Sequence, residues 1–167
     1  DPSWWENLIG PDRAIDTSQY YVVSPNMLGS AYGTTGPGSK NPDTGKPYGP
    51  DFPEFTTRDM IEANQVLLEH LGARQLAAVV GYSYGGYMTF QWGVTYPGRM
   101  RALVPVATGI TGRGDEGAVR ELEVQFEAAA GCNSGHYYGR ENRVHKALIQ
   151  FRSNILRNYG VITELKD

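Results

Sequence analysis

Cysteine is almost absent from this sequence, with Cys132 the only one among 167 residues. That count excludes an internal disulfide and a cysteine-rich metal site, and it fits a reducing compartment, so the cytoplasm is the expected location. Long apolar runs are lacking too. A stretch such as "LAAVV" is far short of the roughly 20 residues that cross a bilayer, and no membrane partner is expected. There is no excess of basic charge: 15 Lys and Arg against 18 Asp and Glu leave a net charge of −3, without a basic stripe. Nucleic acid is therefore not an expected partner. Internal repeats, low-complexity tracts and a signal-peptide pattern are not visible. The chain opens "DPSWWENLIG" and its first methionine is Met27, so a piece of a longer protein is expected.

What is present suits one domain with a real core, since 40% of residues are hydrophobic and 20% charged. "QYYVV", Gln19 to Val23, reads as a strand. Residues 24–55 form a long loop dense in Gly, Pro, Asn and Asp, and the aromatics Tyr32, Tyr48, Phe52 and Phe55 mark it as ordered and packed. Thr56 and Asp59 form a capping-box pair that opens a helix. Met60, Asn64, Leu67, Leu68 and Leu71 trace its face, and Gly72 stops it. "QLAAVVG" from Gln75 is a short, continuously apolar strand of the kind covered on both faces. A helix over 84–96 follows, ended by Pro97. The next strand, "RALVPVAT" from Arg101, is weakened by its internal Pro105. This alternation predicts right-handed βαβ units and a parallel sheet. Beyond Thr108, Val119, Leu122, Phe126 and Ala129 mark one amphipathic helix ending at Gly131. Val144, Leu148, Phe151, Ile155 and Tyr159 mark another, ending at Gly160.

The chemistry centres on "VVGYSYGGY". Ser83 stands at G-x-S-x-G spacing, directly after an apolar strand and directly before a helix, which is where a serine nucleophile is mounted. Such a turn is so tight that the serine takes a strained backbone conformation. Gly81 and Gly85 are expected where a Cβ would strike neighbouring backbone, and Gly86 where the helix packs close to the sheet. The backbone N–H of Tyr84 would then face a developing oxyanion, aided by the helix N-terminus.

A nucleophile needs a base, and the candidates are few. The histidines are His70, His136 and His145. His70 lies near the end of a helix, where a cation complements the dipole, and His145 beside an apolar stripe reads as a surface residue. His136, in "CNSGHYYG", is on a glycine-flanked loop. Chain order allows a triad of Ser83, Asp115 and His136, but an elbow architecture normally inserts strands between its members, and none are visible here. "GRGDEG", Gly112 to Gly117, matches G-x-G-x-x-G. It stands away from its strand, carries Asp115 and Glu116 where phosphates would sit, and lacks a following acid-ended strand, so no dinucleotide site is expected. No other cofactor or metal is expected.

"WWENLIGPDRAIDTSQYYVV", "NMLGSAYGTTGPGSKNPDTGKPYGPDFPEFTTRDM" and "VVGYSYGGY" together resemble the homoserine O-acetyltransferase family of α/β-hydrolase enzymes. The likeness covers most of residues 4–97. Further on, "GHYYG" and "QFRSNILRNYG" resemble that family's helical lid. The resemblance implies an α/β-hydrolase fold, here a parallel-sheet fragment with a nucleophile elbow over 1–110 and the start of a helical lid over 111–167. It implies Ser83 as nucleophile and the Tyr84 N–H as half of an oxyanion hole, with the catalytic Asp and His and the second oxyanion donor outside these residues. An acyl-CoA is the implied co-substrate and a small amino acid or alcohol the acceptor. Arg152 is the counterpart of a lid arginine that holds the substrate carboxylate, and a solvent-facing helix arginine is the competing reading. Dimerisation through the lid is implied as well. One departure stands out: the family usually reads "GGSMGG", where this chain has Tyr82 and Tyr84 around the serine. That substitution keeps an esterase or thioesterase as an alternative. A lone half-sheet with an unpaired parallel edge, and a nucleophile without its base, make an inactive chain needing missing segments or a partner the other.

Overall fold

The computed structural model describes residues 5–30, 32–111, 116–129, 131–139, 142 and 144–160. They fall into two compact units: residues 1–34 with 55–110, and residues 35–54 with 111–167.

The first unit carries the sheet. Near its start, β1 (Ile9–Gly10) and β2 (Ile15–Asp16) pair over two residues each. The turn after them is held by Asp16, whose carboxylate accepts from the Ser18 amide and hydroxyl at 2.9 and 2.7 Å. These bonds favour the charged form and lower the Asp16 pKa, the Ser18 hydroxyl most of all. The stretch predicted as a strand at Gln19 to Val23 has no strand assignment. No ladder partner for it is found among the described residues, and β propensity without a partner does not make a strand. Val23 nonetheless packs on the core.

Helix α1 (Thr57–His70) begins as expected. Thr56 accepts from the Asp59 amide, and the Asp59 carboxylate accepts from the Thr56 amide at 2.7 Å, a complete capping box. At the other end Gly72 takes φ +73° and donates to the Glu69 carbonyl. The buried face differs from the expected one: Met60, Ile61, Gln65 and Leu68 are inside, whereas Leu67 and Leu71 are exposed. A buried glutamine among apolar residues needs partners, and Gln65 has them. It accepts from Arg99 Nε and Nη2 at 3.2 and 3.1 Å and donates to Glu69 at 2.7 Å. Arg99 also donates to the carbonyls of Ala73 and Arg74, tying the end of α1 to the turn before the last strand.

Strands β3 (Val79–Tyr82) and β4 (Leu103–Val106) run parallel, with Val80 opposite Val104 and Tyr82 opposite Val106. Helix α2 (Tyr84–Thr95) makes the crossover and packs on one face of the pair. Pro105 does not break β4. The amides of Val79 in β3 and of Ser83 just after it donate to the carbonyls of Ala102 and Val106, so alternation turns the nitrogen of Pro105 to the other edge, where it costs no β3–β4 bond. The core is Met60, Ile61, Leu68, Met88 and Trp92, with Leu28, Phe55, Leu76 and Val79 against it. Each fully buried side chain of this size contributes about 1.5–3 kcal/mol. The expectation of cover on both sheet faces is corrected. Val80, Tyr82, Val104 and Val106 share the face away from α2, and among the described residues they remain 39–56% exposed.

In the second unit, residues 35–54 are ordered by their own backbone bonds. Lys40 bridges Pro47, and Gly49 donates to Pro37 at 2.8 Å before a short 3-10 turn at Gly49–Asp51. The rings of Tyr48 and Phe52 meet edge to face at 5.3 Å. Helices α3 (Glu116–Glu127) and α4 (His145–Asn158) follow, and Phe126 meets Phe151 at 5.3 Å. Gly131 and Gly160 take the positive φ values expected after each helix.

Candidate active site

Ser83 sits between the last residue of β3 and the first of α2 with φ +53° and ψ −114°. For a residue with a Cβ this backbone is strained, at a cost of about 1–3 kcal/mol. A serine before a helix usually caps it by accepting from the first turn. Ser83 makes no such side-chain bond and is exposed. Its amide donates to the Val106 carbonyl at 2.9 Å, so the turn is pinned to the carboxyl end of β4.

The glycines divide by what surrounds them. A Cβ on Gly81 would lie 2.0 Å from the Gly85 carbonyl oxygen and 2.5 Å from Thr89 Oγ1, so β3 can approach the helix only as glycine. A Cβ on Gly86 would lie 2.2 Å from Thr108 Cγ2. These two expectations hold. The third does not: a Cβ on Gly85 would meet no heavy atom within 4 Å, so its smallness opens space rather than preventing a clash.

Sequence reasoning missed several supporting residues. Thr89 is fully buried and donates to the Gly85 carbonyl at 2.9 Å, which braces the first turn of α2. Ala107 takes φ +48° just after β4. Thr108 follows it, with a buried hydroxyl that finds no partner among the described residues. Tyr87 sets its ring 6.4 Å from that of Tyr84, tilted by 55°. Helical i, i+3 spacing from Tyr84 was the available signal for Tyr87, and i, i+4 spacing from Gly85 for Thr89.

Ser83 and Tyr84 are adjacent in the first unit, whereas His136 and Arg152 belong to the second. Neither unit alone brings the chain-order triad together, and Asp115 lies outside the described residues. His136 is exposed after a 3-10 turn at Asn133–Gly135. Arg152 is exposed on α4. His70 and His145 fall at the end of α1 and the start of α4, both exposed. No group of three or more His, Cys, Asp or Glu among the described residues is arranged for a metal. No helix among them is long and apolar enough to cross a membrane. A cavity of about 370 Å³ beside Gly93, Met100 and Leu103 lies at the amino end of β4, opposite to Ser83, and its lining offers no nucleophile.

The parallel strand pair with its crossover helix has counterparts among known proteins. The family model for the alpha/beta hydrolase fold matches residues 2–129. The chain belongs to the α/β-hydrolase fold family. Among curated relatives, homoserine O-acetyltransferase of Moorella thermoacetica is 48% identical over 141 residues, 83% of this chain and 37% of that protein. Homoserine O-succinyltransferase of Marinobacter nauticus is 43% identical over 99% of this chain and 42% of its own length. Among solved structures, esterase E22 superposes with a TM-score of 0.76 at 36% identity, over 90% of this chain and 44% of that one. The chain therefore spans less than half the length of these relatives.

Proposed function

We propose that this chain supplies the nucleophile half of an acyltransferase. Ser83 attacks the acyl carbon of an acyl-CoA, the thiolate of CoA leaves, and an acyl-enzyme remains. The hydroxyl of a small amino acid, homoserine in the first instance, then takes the acyl group. The Tyr84 N–H is one donor of the oxyanion hole. In this reading the base and its aspartate, and the second oxyanion donor, come from parts of the protein beyond these residues, and Arg152 holds the acceptor carboxylate through a paired ion contact. The reaction is assigned to the cytoplasm, and the second unit is assigned to a homodimer contact. The observation that carries the reading is Ser83 at φ +53°, exposed and not used as a helix cap.

The test uses the full-length protein with acetyl-CoA, with and without homoserine, followed by mass spectrometry. O-acetylhomoserine formed by the wild type and lost in Ser83→Ala is the expected result. Free acetate alone would overturn transfer. That outcome belongs to the second reading, an esterase or thioesterase with water as acceptor, which the likeness to esterase E22 favours. A third reading, a chain inert until other segments or a partner complete it, draws on the uncovered face of β3 and β4. Like the first reading it predicts no acyl transfer by residues 1–167 alone, so turnover by those residues alone would overturn both.

A further inference from the structure

We propose that the side chain of Tyr84, steadied by Tyr87, is the wall that limits the acyl group on Ser83 to short, uncharged chains. The inference rests on Ser83 being the acylated residue, as proposed above, and adds the class of acyl group. Side chains on a helix lean toward its N-terminus. Tyr84 is the first residue of α2, so by that rule we infer that its ring is directed past the end of the helix, toward the space around Ser83. The ring is 43% exposed and serves no core. Its neighbour one turn on, Tyr87, sets its ring 6.4 Å away and tilted by 55°, a contact that restrains the Tyr84 ring. Gly85, between them in sequence, keeps the adjoining space open. The result is room for a small group beside an aromatic barrier.

Chemistry then defines what fits. An acyl carbonyl oxygen that accepts from the Tyr84 amide lies within hydrogen-bond distance of that residue's own backbone, so the first carbons of the acyl chain run beside its ring. An acetyl methyl clears the ring, and a longer chain must displace it from Tyr87. A terminal carboxylate would meet a phenol face, which supplies no positive charge to pair with it. Tyr82, the other flanking tyrosine, is excluded from this role because strand alternation puts it with Val80 on the sheet face away from α2.

The experiment compares acetyl, butyryl and hexanoyl p-nitrophenyl esters on the full-length protein, as kcat/KM. Wild type is expected to prefer acetyl. Tyr84→Ala is expected to raise the hexanoyl-to-acetyl ratio by about tenfold or more, the scale on which a pocket discriminates methylenes. Tyr84→Phe should keep the wild-type ratio, Tyr87→Ala should shift it part-way, and Tyr82→Ala should leave it unchanged. A wild type that accepts all three chains equally, or a Tyr84→Ala ratio that stays at the wild-type value, overturns the inference. If Tyr84→Ala loses fold, as read from its urea midpoint, Tyr87→Ala carries the same decision. Ser83→Ala separates the two levels. Abolished turnover with an unmoved chain-length profile defeats only the tyrosine wall, whereas undiminished turnover in Ser83→Ala defeats the nucleophile itself.

Discussion

Replacing Ser83 by glycine should make the protein more stable than replacing it by alanine, although both variants lose the hydroxyl. At φ +53° and ψ −114° a residue with a Cβ stores strain, at about 1–3 kcal/mol. Glycine adopts this conformation freely, while Ser83→Ala keeps the Cβ and hence the strain. Against this, glycine gives the unfolded chain more freedom, which costs about 0.4–1 kcal/mol. The difference leaves Ser83→Gly ahead of Ser83→Ala by about 1.3 kcal/mol at the midpoints of these ranges, and by about 2.6 kcal/mol at most. Urea unfolding of the two full-length variants measures it, and the midpoint should rise at unchanged slope. Equal midpoints, or a higher one for Ser83→Ala, would mean that the turn is relaxed and that the elbow geometry argued here is wrong.

The glycine pair flanking the serine should respond in opposite ways. Gly81→Ala forces its Cβ against the Gly85 backbone at 2.0–2.3 Å, so it should cost more than the roughly 1–3 kcal/mol usual for overpacking and abolish turnover. Gly85→Ala meets nothing within 4 Å and should leave stability unchanged or raise it by up to about 1 kcal/mol, with the same urea assay deciding both. Thr56→Ala removes the cap of α1 and should cost about 1 kcal/mol near neutral pH. The Thr56 hydroxyl and amide bonds lower the Asp59 pKa. A lowered folded-state value means that this contribution is complete above the ordinary carboxylate pKa and fades as pH drops through the folded one. The gap between wild type and Thr56→Ala should therefore narrow below about pH 4, and a gap that widens there would refute the capping-box account.

Local rules were legible wherever a few neighbouring residues suffice. The Thr56–Asp59 box, the stops at Gly72, Gly131 and Gly160, and the strand–turn–helix joint at Ser83 all depend on backbone preferences within a turn or two. What needed a distant partner was not legible. Gln65 is buried because Arg99, far along the chain, reaches it, and no periodicity in α1 announces that. "QYYVV" has strand composition, yet a strand exists only with a neighbour to bond. Val80 belongs to an apolar run that reads as covered on both faces, and its second cover is not found among the described residues.

The same division explains why one half of the candidate site is concrete and the other is not. Everything that shapes the turn at Ser83 comes from one βαβ unit: the Val106 carbonyl that takes its amide, the Thr89 hydroxyl that braces Gly85, and Thr108 against Gly86. These contacts are short-range and mutually supporting, so the turn is a property of residues 76–108 themselves. Activating the hydroxyl is another matter. A base must lie within hydrogen-bond reach of Oγ, and His136 of the chain-order triad belongs to the compact unit that does not hold Ser83. A serine can thus be held in a strained, exposed posture by its own strand and helix, and under the proposed function its activation comes from other parts of the protein. Stability variants at Gly81, Ser83 and Gly85 probe the posture, and only turnover by the full-length protein probes the reactivity.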